Sequence, residues 1–234
     1  MEKYTYLLIN FFSILVPLLF SFGKRIRFYK SYSALFPAML ITTAFFIIWD
    51  HYMTIWSVWG FNPKYVTGIY LWDLPIEEWL FFIAIPYSCM FVYVSLNYFF
   101  KKDHLQSYSK NISAGLIVIL SIVVLFNTEK LYTAIKLSLS ALMLIYIVLK
   151  KTPYMGKFYR AYLVCLIPFF IVNGLLTAIP VVTYNDAENL GIRLGTIPIE
   201  DSIYMLLMLL MNTTLFEHFK SKQEHVKPSG SHRP

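Results

Sequence analysis

Two short segments carry most of the acids that stand beside apolar runs. Glu77 and Glu78 follow Pro75-Ile76, and Glu200 and Asp201 follow Pro198-Ile199. Each pair leads directly into an apolar run, Trp79-Leu80-Phe81-Phe82-Ile83 in one case and Ser202-Ile203-Tyr204-Met205-Leu206 in the other. Adjacent carboxyl groups at the edge of an apolar medium suit proton transfer, because burial and a neighbouring like charge both favour keeping a proton. A single Pro-x-Glu is more often just a helix start, where acids complement the helix dipole. Here the arrangement is duplicated and sits close to membrane depth, where ionisable groups are expensive and tend to be functional. Glu77, Glu78, Glu200 and Asp201 are therefore the candidate catalytic residues. Glu77 and Glu200 are read as the principal pair, with Glu78 and Asp201 tuning them.

The duplication extends beyond the acids. Residues 68–78 align without a gap on residues 191–201, an offset of 123, and six of the eleven positions are identical. Asp73 and Thr196, both cap-type residues, fall two positions before each proline. Pro is tolerated in a helix first turn, so both acid pairs are placed in first turns. Phe81 follows Glu77 and Tyr204 follows Glu200 by one helical turn, which puts an acid and an aromatic on one face. Asp50, after Trp49, has Asn173 as its repeat counterpart. Both are polar groups in apolar runs, expected to hydrogen-bond within a bundle or to face the same cavity. His51 is read as interfacial, and Lys136 is expected to snorkel to the surface.

Other chemistries lack their residues. There is no GxGxxG or GxxxxGK[ST] fingerprint and no CxxC or Cys/His metal spacing. Cys89 and Cys165 read as small packing residues. Neither a cofactor nor a metal is called for.

The elements that position these residues are membrane helices. The chain has 234 residues, 58% of them hydrophobic and only 14% charged, with a mean hydropathy of +0.58; soluble domains carry about 25% charged residues. Apolar runs long enough to cross a bilayer fall at Tyr4–Phe22, Leu35–His51, Glu77–Phe100, Ile112–Phe126, Leu131–Leu149, Tyr162–Val182 and Ser202–Phe216, the fourth and seventh being short. The first lacks a basic start and a small-residue cleavage site, and reads as a retained helix. The offset of 123 carries the first three spans onto the last three. The fold class is all-α integral membrane, with seven transmembrane helices in two parallel three-helix repeats joined by a connector (3+1+3). Residues 1–222 form a single membrane domain, with repeat one at 1–100, the connector at 101–126 and repeat two at 127–222; a disordered polar tail follows at 223–234.

The net charge of +7 does not indicate nucleic acid, because its placement follows alternate loops. Of the Lys and Arg residues, 15 fall in one set of loops and 4 in the other, with Lys136 inside a span. The positive-inside rule then puts the N-terminus outside and the C-terminus in the cytoplasm of a multi-pass cell-membrane protein. An odd number of spans requires termini on opposite faces, which agrees with this placement.

The 3+1+3 plan, Trp49-Asp50, Gly68…Pro75-Ile76-Glu77-Glu78, Asn173-Gly174-Leu175-Leu176-Thr177…Pro180 and Gly191-Ile192-Arg193…Thr196-Ile197-Pro198-Ile199-Glu200-Asp201 resemble the membrane-embedded carotenoid (lycopene) cyclases, in their fused form, over residues 1 to about 222. The resemblance implies cyclisation of acyclic ψ end groups to β rings without redox change or cofactor: protonation of a terminal double bond, ring closure through a carbocation, and loss of a proton. Glu77, Glu78, Glu200 and Asp201 would supply acid and base, unassigned within each pair. Asp50, Asn173, Trp49, Phe81, Tyr204 and Arg193 would bind substrate or support the acids. The expected partners are lycopene, the lipid bilayer and other carotenoid-pathway enzymes. Three other classes compete. A hydratase would protonate the same end group and let water capture the cation. A small 3+1+3 sugar transporter would carry Pro-Gln motifs, and the chain has none. A retinal protein would need a Lys in the last span, Ser202–Phe216, which has none.

Overall fold

The computed structural model describes residues 2–226. Seven helices are long and apolar enough to cross a membrane: α1 (Thr5–Ser21), α2 (Tyr32–Ile55), α3 (Ile76–Phe99), α4 (Gln106–Leu125), α5 (Leu131–Lys150), α6 (Met155–Ala178) and α7 (Ile199–Val226). All seven sequence spans are found, with shifted ends. The helix expected from Ile112 begins at Gln106, and the one expected from Tyr162 begins at Met155. Both starts are polar in sequence but packed together: Gly156 N–H donates to Gln106 Oε1 at 2.8 Å, and Met155, Phe158 and Tyr159 are buried. The last helix starts at Ile199 and runs through Val226, past the end expected at Phe216 and past the 222 boundary; residues 227–234 lie outside the described residues.

The molecule is apolar on its outer surface and keeps a set of polar and charged groups within an otherwise apolar interior. Leu40, Leu125 and Leu149 are each more than 70% exposed, whereas Asn10, Thr42, Asp50, Lys136, Asn212 and all four motif acids are buried. In water such a surface would be a large exposed hydrophobic patch; against lipid tails it is matched. α7 is the most enclosed helix, while α4 and α6 have the largest share of their spans at the surface. α1 packs on α3 and α5 on α7; α2 packs on α7 and α6 on α3; α3 and α7 meet at the centre. α4 lies outermost, against α5 and α6.

Prolines inside helices leave carbonyls without donors, a serious matter where no water reaches. Two are repaired by hydroxyls from a neighbouring helix. Pro17 frees the carbonyl of Ser13, which accepts from Ser88 Oγ of α3 at 2.9 Å. Pro86 frees that of Phe82, which accepts from Thr43 Oγ1 of α2 at 2.8 Å. Each repair also fixes the register of two helices.

The all-α expectation misses three short antiparallel ribbons at the acid-bearing end of the bundle. β1 (Trp59–Phe61) pairs with β4 (Val182–Tyr184) around Gly60 and Thr183, two residues 123 apart. β2 (Tyr70–Leu71) pairs with β3 (Leu74–Pro75), and β5 (Arg193–Leu194) with β6 (Ile197–Pro198). The two hairpins place Asp73 and Thr196 in turns rather than at helix caps. Trp72 and Asp73 have φ of 54° and 57°, and Gly195 has φ of 67°, as primed hairpin turns require. Pro75 takes the N-cap position of α3, without a side-chain cap.

Candidate proton-transfer chamber

Each hairpin delivers two consecutive acids to a helix start, and one residue of helix turns a side chain by about 100°. The two acids of each pair therefore point to different places. Glu77 turns back into its loop: Oε1 accepts from the Thr67 N–H at 2.7 Å. Glu200 does the same, accepting from the Leu190 N–H and from Thr133 Oγ1, both at 2.7 Å. These bonds close loops that turn at Gly68 (φ 88°) and Gly191 (φ 70°). The second oxygen of each glutamate is buried without a partner among the described residues.

Glu78 and Asp201 instead line one cavity of about 70 Å³, together with Asp50 from α2 and Asn173 from α6. Glu78 Oε2 accepts from the Tyr6 hydroxyl. Asp201 is held from four sides. Oδ1 accepts from the Tyr132 hydroxyl and from Lys136 Nζ, the latter at 3.4 Å; Oδ2 accepts from Asn173 Nδ2 at 2.8 Å and the Tyr184 hydroxyl at 2.7 Å. Tyr184, on β4, is pushed well above the usual tyrosine range by burial and then by the charge of Asp201, so its hydroxyl stays a donor. Asp50 shares the cavity lining with Glu78 and Trp59, and its Oδ2 is buried without a hydrogen-bond partner among the described residues. The walls are mainly aromatic and apolar, among them Trp59, Phe61, Phe81, Phe169 and Tyr204.

Lys136 is completely buried and does not snorkel to the surface. Its Nζ lies 3.4 Å from the ring centre of Tyr132 and 4.5 Å from that of Tyr204, in addition to its ion pair with Asp201. It enters only five residues into α5, yet α7 packs over it. The signal was an ionisable residue inside an apolar span. Tyr6, Tyr132 and Tyr184 carried none, because their positions look like ordinary interfacial aromatics.

The remaining sequence candidates divide. Phe81, Tyr204, Asp50 and Asn173 line the chamber. Trp49 packs with Met53, Val58, Trp59 and Tyr132 behind it. Arg193 stays in its hairpin at the surface, paired with Asp186 and donating to the Thr196 carbonyl at 2.9 Å. Asp186 is held below the usual carboxylate range by the Asn189 amide first and Arg193 after it. His51 contacts the Trp72 carbonyl at 3.0 Å, at the surface.

A seven-helix membrane protein with carboxyl groups from three helices converging on a small chamber with mainly aromatic and apolar walls is the class that fold and site define. A sequence model of the lycopene cyclase family matches residues 3–96 and 129–219, and the chain belongs to that family. A stretch of 60 residues is 40% identical to the bifunctional lycopene cyclase/phytoene synthase of Colletotrichum graminicola. That stretch is 25% of this chain and spans 10% of the relative's length. No solved structure matches.

Proposed function

We propose that this chain is a redox-neutral isomerase that closes the ψ end groups of lycopene, or a closely related acyclic carotene, to β rings. The observation that carries this reading is the meeting of Glu78, Asp201 and Asp50 in one chamber with aromatic walls. The reaction consumes and returns one proton. It therefore needs an acid that still holds its proton and a base that does not, both away from water.

Charge balance assigns the roles. Lys136 is paired with Asp201 and, with four donors on its oxygens, Asp201 is the carboxylate that collects the proton. Asp50 and Glu78 line the same chamber, and neither makes an ion pair within 4 Å among the described residues. Two such carboxyls out of water share a proton rather than both carry charge, and that proton is the one delivered to the terminal double bond. The tertiary cation formed is attacked by the neighbouring double bond, the six-membered ring closes, and Asp201 takes the proton that leaves and passes it back across the shared chamber to the Asp50–Glu78 pair, which restores the starting state. Tyr204, Phe81 and Trp59 line the chamber, and an aromatic wall can stabilise a cation by on the order of 1–2 kcal/mol per ring. Glu77 and Glu200 hold the loops. This ordering reverses the one expected from sequence, on the ground that only the second acid of each pair reaches the chamber.

The architecture proposed with it is 3+1+3. Its supports are the β1–β4 ribbon centred on residues 123 apart, the matching loop bonds of Glu77 and Glu200, and the family match in two stretches that flank α4. The charge bias supports an N-terminus outside and a C-terminus in the cytoplasm.

Expression in a lycopene-accumulating bacterium, with chromatography of the pigments, tests the function. Monocyclic or bicyclic β-ring carotenes are expected. Unchanged lycopene beside membrane-folded protein contradicts the reading, and hydroxylated acyclic product makes the chain a hydratase.

A further inference from the structure

The chamber is far too small for a whole long-chain substrate. Its volume of about 70 Å³ compares with about 300–1,000 Å³ for sites that enclose a complete small molecule. A second, larger cavity adjoins it. A groove of about 590 Å³ runs between α1 and α6, floored by α3. Five residues, Phe81, Ile85, Phe169, Asn173 and Met205, line both spaces, so the inner end of the groove is the chamber's own wall. Asn173 is among them, and its amide holds Asp201. The groove follows α1 from Thr5 to Pro17, about 18 Å at 1.5 Å per residue, against roughly 30 Å of bilayer hydrocarbon. It exists because α1 leans on α3 and barely touches α6. Leu8, Phe12 and Val16 on its lip are half-exposed toward lipid.

We propose that this groove is the binding site for the linear isoprenoid chain of the substrate, which enters sideways from the bilayer between α1 and α6 and pushes one end past Phe81 and Phe169 into the chamber. This rests on the cyclase reading for the identity of the chain. The occupant is argued from the continuity of the two spaces. A membrane lipid would fill the groove equally well, but its headgroup has no reason to reach an inner neck formed by four apolar side chains and one amide. The long remainder of the substrate stays outside, in the hydrocarbon, so affinity is drawn from the groove and chemistry from the chamber.

The test uses the full chain in detergent, with lycopene as the probe and two readouts: pigment retained through gel filtration, and the cyclisation rate. Val172→Trp fills the α6 wall of the groove, and Val16→Trp narrows its far end on the lipid-facing side of α1, where folding is least at risk. Leu163→Trp, on the lipid face of α6 outside the groove, is the control. Retention and rate should each fall by about tenfold or more in both groove variants and hold in the control. Equal retention in all four proteins overturns the groove, as does a wild-type protein that retains no lycopene, or a loss in the groove variants of bound phospholipid alone. Retention that falls as expected, in a wild-type protein that never forms a ring, upholds the groove and overturns the cyclase reading instead.

Discussion

At the scale of single residues, the chamber depends on a buried ion pair whose halves are not independent. Lys136 is fully buried, and its Nζ stands 3.4 Å from Asp201 Oδ1. Removing one partner of such a pair typically costs about 3–5 kcal/mol, since the other charge is left stranded, while replacing both is far milder. Lys136→Met should therefore sharply lower the amount of protein that survives heating in detergent. The double variant Lys136→Met/Asp201→Asn should recover most of it, though without cyclisation. Equal losses in the single and double variants would place the value of Lys136 in packing alone. The residue scale is also where sequence was least legible. It located four acids, but whether the first or second of an adjacent pair faces inward depends on a rotation of about 100°, set by hairpins whose φ values no apolar pattern announces. Lys136 was visible as a charge inside an apolar span; its nearness to a helix end made the surface seem within reach.

At the scale of elements, what the sequence displays best is length and apolarity, and it displays them because lipid demands both. All seven helices were legible for that reason. Their ends were not, where polar residues such as Gln106 and Lys157 belong to helices that pack on each other. The joints between helices were also hidden. Thr43 looks like one hydroxyl in an apolar run, yet it serves the carbonyl that Pro86 frees. Thr43→Val keeps the shape and removes the donor. The orphaned carbonyl should cost about 1–3 kcal/mol, read as a lower midpoint of thermal inactivation in detergent with the rate per folded molecule unchanged. The α4–α6 joint gives a sharper case. A Cβ on Gly156 would stand 2.2 Å from Asp103 Oδ1 and 2.3 Å from the Gln106 backbone nitrogen. Gly156→Ala should accordingly lower membrane yield by loosening α4 from α6, an effect of about 1–3 kcal/mol for overpacking. Normal yield and melting would mean that this joint is slack.

At the scale of the whole molecule, the two copies of the motif each bring one acid to the same cavity. Glu78 comes from the first copy of the motif and Asp201 from the second, and β1 and β4 tie the two acid-bearing ends together. Parallel repeats predict that Ile69 and Ile192, equivalent and both exposed, lie on one side of the membrane. Cysteines placed there should react with an impermeant thiol reagent in intact cells, and both should react alike; labelling of one and not the other would break the parallel plan. The central claim, however, is that the second acid of each pair does the chemistry and the first holds the loop. The measurement that tests it most directly is the cyclisation rate per folded molecule of Glu77→Gln, Glu78→Gln, Glu200→Gln and Asp201→Asn, assayed side by side on lycopene. Glu78→Gln and Asp201→Asn should lose about 10²–10⁴-fold, the usual contribution of a general acid or base. Glu77→Gln and Glu200→Gln, which keep an acceptor for the loop N–H, should turn over within a few-fold of wild type and show only reduced stability. The opposite pattern, with the large losses at Glu77 and Glu200, would contradict the account.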